Sequence, residues 1–191
     1  MYTLYGSTTS PYVRRIRMLL ANVEHDFINM QIFAGKDREQ LMEKNPTLKI
    51  PMLEVGEDTI YDSRVIFRYL CEQLNRPALT WHQENLLTII DSINDSLVQL
   101  LLLQRSDINS ADDKLYFRLQ NERVAHAYQH LDEAVADGCF DDWDYPSICL
   151  FCLLDWTTFR QLHELASYPN LLAFLSQHKD RIEATSTDPR D

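Results

Sequence analysis

Hydrophobic positions change their spacing along the chain, and each change marks an element. Tyr2 to Tyr5 ("YTLY") alternate with the two-residue period of a strand, and the run passes through Gly6 into the loop Thr8-Thr9-Ser10-Pro11. From Tyr12 onward Val13, Ile16, Leu19, Leu20 and Val23 recur every three or four residues, the stripe of a helix, with Arg14, Arg15 and Arg17 largely off it. Residues 25–32 are predicted to form a second strand, so the opening is a β-α-β unit, which favours a parallel pair. Gly35 and the polar residues 36–45 predict a loop and a short helix. Residues 50–55 and 59–62, joined by Gly56-Glu57-Asp58, carry a hairpin signal. A helix follows from Ser63 to about Leu74, with Ile66, Phe67, Leu70 and Leu74 on one side. The predicted order is β-α-β-α-β-β-α.

Beyond Asn75-Arg76-Pro77-Ala78-Leu79 the period of two does not return. Residues 82–103, 114–135, 147–165 and 170–182 all have helical periodicity, punctuated by Asp, Asn, Gly and Pro. The expected organisation is an α/β domain over residues 1–76, a linker at 77–81 and an all-α domain over 82–191. The closing "TSTDPRD" reads as a polar tail.

Composition adds limits. A hydrophobic share of 45% over 191 residues is ordinary for a globular protein. Residues 1–76 hold ten basic and ten acidic side chains; the rest hold eight and nineteen, so the second part carries the whole net charge of -11. That balance argues against a surface that tracks nucleic-acid phosphates. No contiguous apolar run approaches the roughly 20 residues of a membrane span, and the N-terminus lacks the basic and apolar regions of a signal peptide. A cytoplasmic location without a membrane partner is expected. Cys71, Cys139, Cys149 and Cys152 lie in or beside helical patterns, so reduced thiols are the default.

Three short segments carry candidate chemistry. Ser10-Pro11 at a strand-to-helix junction suits a helix cap, since serine is favoured at the N-cap and proline at the first helical position. The same place suits an anion: free N–H groups and a partial positive charge would stabilise a ligand thiolate, the Ser10 hydroxyl would donate to it, and Arg14 would add potential. Ile50-Pro51 opens a strand, either as an ordinary trans bond or as a cis bond that presents Ile50's N–H and C=O to an extended peptide. Asp62-Ser63 between hairpin and helix is again a legitimate cap, or a receptor for the ammonium and carboxylate of an amino-acid headgroup. Elsewhere the chemistry is weaker. Cys149-x-x-Cys152 sits in an apolar helix without a second ligand pair, His126 and His130 lack a third ligand, and Trp143, Trp156 and Phe159 are most simply packing. The four glycines form no nucleotide fingerprint.

Together these segments resemble the glutathione S-transferase family: a thioredoxin-like N-terminal domain followed by a helical one. "SPYV" from Ser10 stands where glutaredoxin-like folds carry Cys-Pro-Tyr-Cys, and is similar to the Ser-Pro-Phe of tau-class transferases. "NPTLKIPMLE" from Asn45 resembles the family's segment with the cis-proline, and "DSRVIFRYLCEQL" from Asp62 resembles its Glu/Asp-Ser helix. The resemblance implies Ser10 as the thiol-activating residue, with Thr9 as the reserve hydroxyl. It further implies Ile50, beside Pro51, as backbone partner of the ligand's cysteine, and Asp62 with Ser63 at the γ-glutamyl end. Lys49 or Lys36 would meet the glycine carboxylate. Glutathione is then a co-substrate, attacking a small hydrophobic electrophile bound between the domains in a detoxifying homodimer, with no metal or redox cofactor. Serine in place of cysteine excludes a mixed disulfide at that position. One departure concerns the helix after "YPS": Ser147 keeps the cap but Leu150 replaces the family's acid. The alternative function is that of a non-catalytic adaptor of the stringent starvation protein A kind, which has this fold and binds RNA polymerase.

Overall fold

The computed structural model describes residues 1–109 and 112–191, which divide into two compact units. The first comprises Met1–Ala78 together with Asp180–Asp191; the second is Leu79–Lys179. The sequence assigns residues 180–191 to the helical domain, whereas their contacts place them on the first unit.

The first unit follows the predicted order: β1 (Tyr2–Gly6), α1 (Pro11–Leu19), β2 (His25–Asn29), α2 (Gly35–Lys44), β3 (Met52–Val55), β4 (Asp58–Tyr61) and α3 (Ser63–Gln73). The sheet order is β2-β1-β3-β4. β1 and β2 are parallel, with Tyr2 opposite His25 and Gly6 opposite Asn29; β3 is antiparallel to both β1 and β4. Alternation sorts the faces. Tyr5 and Met52 pack with Leu41 of α2 and with Met30, while Leu4 and Leu53 point the other way, where α1 and α3 pack on the sheet and on each other. This is a thioredoxin-like α/β domain, and a helical unit follows it in sequence.

The α1 stripe of Val13, Ile16 and Leu19 is buried as its periodicity requires. Two of its arginines do not behave as the pattern implies: Arg14 is 3% exposed and Arg15 fully buried. The Arg15 guanidinium lies 5.1 Å from the centre of the Tyr12 ring; for Arg14 the reason lies at the other end of the chain. The short helix α8 (Ile182–Thr185) packs against α1, Arg14 Nη2 donates to the Ala184 carbonyl at 2.9 Å, and Arg14 Nε donates to Thr187 Oγ1 at 3.2 Å. The "polar tail" is thereby a packed segment, with Thr187 and Pro189 buried.

In the second unit α4 (Trp81–Arg105), α5 (Leu115–Ala136), α6 (Tyr145–Arg160) and α7 (Pro169–His178) form the predicted bundle. α4 opens with a reciprocal cap, Gln83 N donating to Thr80 Oγ1 at 3.3 Å and Thr80 N to Gln83 Oε1 at 2.9 Å. It is long and apolar enough by length and composition to cross a membrane, although Asp91 and Asp95 break its apolar sequence into shorter runs. Its inner side, Leu86, Leu87, Ile90, Ile93 and Leu97, is instead buried, in a helix that packs against α5 and α6. α6 is buried almost throughout from Tyr145 to Leu154 and encloses Cys149 and Cys152. Its cap differs from the expected one. Asp144 accepts from Ser147 N at 3.1 Å, while the Ser147 hydroxyl turns back to the Asp142 carbonyl at 2.6 Å. α7 has no side-chain cap of its own; the buried carboxylate of Asp132 on α5 supplies one, accepting from Leu171 N at 3.0 Å and Asn170 Nδ2 at 2.8 Å.

Candidate functional site

The register of the sheet decides where the three candidate segments meet. Met52 faces Tyr5 on one side and Tyr61 on the other. Because β3 runs against both neighbours, its beginning lies beside the ends of β1 and β4. The chain therefore enters β3 from Ile50-Pro51, leaves β1 towards Ser10 and leaves β4 into Asp62-Ser63 at one end of the sheet. With strands about 4.8 Å apart, the outer two exits are roughly 10 Å from each other.

At the first exit Ser10 has the extended dihedrals of an N-cap, and its Oγ accepts from Val13 N at 3.4 Å, a long bond. The hydroxyl donates to no described residue. Thr9 is differently placed: its Oγ1 lies 3.2 Å from Ser7 Oγ, so one of the two hydroxyls donates to the other. Thr8 N donates to Asn29 Oδ1 at 3.2 Å and Ser10 N to the Ser7 carbonyl at 3.1 Å, which fold the loop over the β1–β2 end. Gly6 lets the helix start come so close. A Cβ there would stand 2.4 Å from Val13 Cγ2, inside contact distance. Arg14, expected to lend potential to the helix start, reaches the 184–187 segment instead.

At the strand entry the Ile50-Pro51 bond is cis. Ile50 lies outside the ladder, and its backbone N–H and C=O make no hydrogen bond among the described residues. Asn45, buried beneath this loop, shapes it: Nδ2 donates to the Lys49 carbonyl at 2.7 Å, and Oδ1 accepts from Thr47 N at 2.9 Å and Thr47 Oγ1 at 2.8 Å. Leu48 takes the left-handed φ of 55° that this turn requires. Lys49 and Lys36 are both exposed. Below the loop, Lys44 Nζ and Tyr5 Oη donate to the two oxygens of Glu54 at 2.5 and 2.8 Å, and Tyr61 Oη donates to the Lys44 carbonyl at 3.0 Å. Burial pushes the Glu54 carboxyl up, but the bonds from Lys44 and Tyr5 and the Lys44 charge together hold it below its ordinary value.

At the third position Asp62 has φ 70° and ψ 137°, a conformation a side chain rarely adopts, and its Oδ1 accepts from Arg64 N at 2.8 Å. It is exposed, whereas Ser63 beside it is buried. The carboxylate is thus a helix cap held on a strained backbone and facing solvent. Elsewhere, His126 and His130 are exposed, and no group of three or more His, Cys, Asp or Glu among the described residues is arranged to hold a metal ion.

Residues 4–78 match the family model described as the glutathione S-transferase N-terminal domain. The GST-like protein YibF of Escherichia coli strain K12 is 25% identical over 97% of this chain and 98% of its own. The match over residues 4–78 assigns the first unit as a glutathione S-transferase N-terminal domain. Among solved structures, a glutathione S-transferase of Methylobacillus flagellatus with glutathione bound superposes with TM-score 0.85 at 22% identity, covering 98% of each chain. A glutathione transferase family member of Pseudomonas fluorescens Pf-5, also with bound glutathione, gives 0.81 at 24% identity and the same coverage. In this glutathione S-transferase domain the sheet end brings together Ser10, Thr9, Ile50, Pro51, Asp62 and Ser63, all marked in the sequence. Gly6, Asn45 and the 184–187 segment are parts that sequence reasoning missed. A glycine closing a strand and an asparagine before Pro46 were the available signals for two of them.

Proposed function

We propose that this chain is a glutathione transferase that stabilises the glutathione thiolate for attack on a small hydrophobic electrophile. One observation carries the reading: a single sheet end gathers a helix start with an undonated hydroxyl, a strand entry with open backbone groups and a solvent-facing carboxylate at a second helix start. The roughly 10 Å they span equals about three extended residues. Glutathione would lie across them, its γ-glutamyl ammonium at Asp62, its amino-acid carboxylate at the Ser63 helix start, and its cysteine against Ile50's N–H and C=O. The sulfur would then face Ser10.

There the Ser10 hydroxyl donates to the thiolate while the α1 start lends its positive end. Lowering a thiol from about 8.5 by two units takes about 2.7 kcal/mol of preferential anion stabilisation, within reach of one charge-assisted hydrogen bond plus a helix end. The thiolate's electron pair forms the new carbon–sulfur bond, and the electrophile's leaving group or π electrons accept the displaced pair. A homodimer and a cytoplasmic detoxifying role belong to the same reading.

Retention on immobilised glutathione, with the thiolate absorbance of the bound tripeptide followed against pH, tests this. We expect a lowered thiol pKa that Ser10→Ala returns towards about 8.5, with conjugation falling roughly tenfold per 1.36 kcal/mol lost. Thr9→Ala should leave both unchanged. If the chain fails to bind at millimolar glutathione, the adaptor function is the better reading; if Thr9→Ala and not Ser10→Ala shifts the pKa, the activating hydroxyl is misassigned.

A further inference from the structure

We propose that the 180–191 segment is a working part of the thiolate site: it clamps the Ser10 helix through Arg14, which acts as a positioning residue and not as a source of field. This rests on the transferase reading above. α1 has nine residues, too few to hold its geometry alone, so what it packs against decides where its first turn sits. One side meets β1 through the Gly6–Val13 approach and another meets α3. The remaining hold is polar and comes from the far end of the sequence.

Arg14 N makes the first helical bond, to the Ser10 carbonyl at 3.0 Å, so Arg14 and the capping residue share one turn. Its side chain grips two points of the segment, the Ala184 carbonyl at 2.9 Å and Thr187 Oγ1 at 3.2 Å. Thr187 is fixed in turn, since its hydroxyl donates to the Glu183 carbonyl at 2.7 Å and so keeps a lone pair turned to Arg14. One turn later Arg17 Nη2 reaches the Ser186 carbonyl at 3.5 Å, while its guanidinium lies over the Phe27 ring of β2 at 4.5 Å. Ala184 and Thr187 are buried along with Arg14, so water does not compete for these bonds. The oxygens that Arg14 meets, and the Asp188 carboxylate whose pKa the Arg14 charge helps to lower, belong to the 180–191 segment and not to the helix start. The effect of Arg14 on Ser10 is therefore to hold the first turn in register with the sheet end.

Thr187→Val removes the fixed acceptor at near-constant shape, Thr187→Ser keeps it, and Arg14→Lys keeps the charge while losing the two-point grip. Three quantities are measured on the full chain: the thiol pKa of bound glutathione, the affinity for S-methylglutathione, and amide hydrogen exchange at Val13 and Arg14 in the free protein. We expect Thr187→Val and Arg14→Lys to raise the thiol pKa by about half a unit, the weight of a helix end. Both should speed exchange in the first turn and leave S-methylglutathione affinity within about twofold, and Thr187→Ser should restore the original values. Variants that melt earlier yet leave exchange and thiol pKa unchanged would show a purely structural segment and overturn the proposal. Failure of the transferase reading looks different: the unsubstituted chain would bind neither thiol nor thioether, or would leave the bound thiol's pKa unlowered, and the proposal would fall with it.

Discussion

Replacing Gly6 by alanine puts one methyl group into the closest approach between β1 and α1. The new Cβ would stand 2.4 Å from Val13 Cγ2, 2.7 Å from Cγ1 and 3.1 Å from Cβ. Ordinary contacts need about 3.5–4.0 Å, so strand and helix must separate by roughly 1 Å or Val13 must turn away. Val13 is fully buried and β-branched, with few rotamers to turn into. Overpacking of this kind costs about 1–3 kcal/mol. At a urea slope of about 2 kcal/mol/M, the midpoint should fall by about 0.5–1.5 M. Val13→Ala alone should cost about 2 kcal/mol through lost methyl burial and the space it leaves. Together, the added methyl moves into vacated volume, so the double variant should be about 1–2 kcal/mol more stable than the sum of the two costs implies. Urea denaturation of the four proteins measures that coupling directly. Additive costs, or a Gly6→Ala chain as stable as the original, would refute the claim that this contact seats the helix.

Asn45→Ala removes three hydrogen bonds beneath the loop that leads to Ile50, and should weaken glutathione binding at least tenfold by titration calorimetry while leaving the far-ultraviolet circular dichroism intact. At Asp62 the φ of 70° separates backbone from side chain: Asp62→Gly relaxes the backbone and should melt no more than about 2 °C below the original, yet lose glutathione retention as fully as Asp62→Asn. A binding-competent Asp62→Gly would end the headgroup assignment. Glu54 has a folded pKa below its unfolded value of about 4.3, so its stabilising contribution is present above that value and is lost as pH falls through the depressed one. Urea midpoints from pH 6 down to pH 3 should therefore fall more steeply for the original than for Glu54→Gln; parallel curves would contradict the ion-pair account.

What was legible in the sequence, and what was not, follows from how far each residue's environment reaches. Val13 and Ile16, or Ile66 and Leu70, announce their burial by spacing, because an apolar stripe has only one side to turn inward. Ser10, Pro51 and Asp62 announce element ends, because caps and prolines are confined there by local backbone geometry. That all three ends share one sheet edge needed the pairing of Met52 with Tyr5 and Tyr61, which no local pattern contains. Ser147 and Asp144 are both good caps one turn apart, and only the two carbonyls at Phe140 and Asp142 that the Ser147 hydroxyl can reach explain why Asp144 takes the role.

Arg14 and Thr187 mark the limit most sharply. An arginine off the apolar stripe reads as solvated, and a threonine in "TSTDPRD" reads as a tail, because each is judged by its neighbours in sequence. Their burial depends on each other across 173 positions. Neither would be buried alone, since a buried guanidinium without acceptors is costly, and a short polar segment has too little apolar surface to dock on its own account. Arg14 and the 184–187 segment stabilise each other. For that reason local patterning misses both members together, and substitution of either should release the first turn of α1 in the same way.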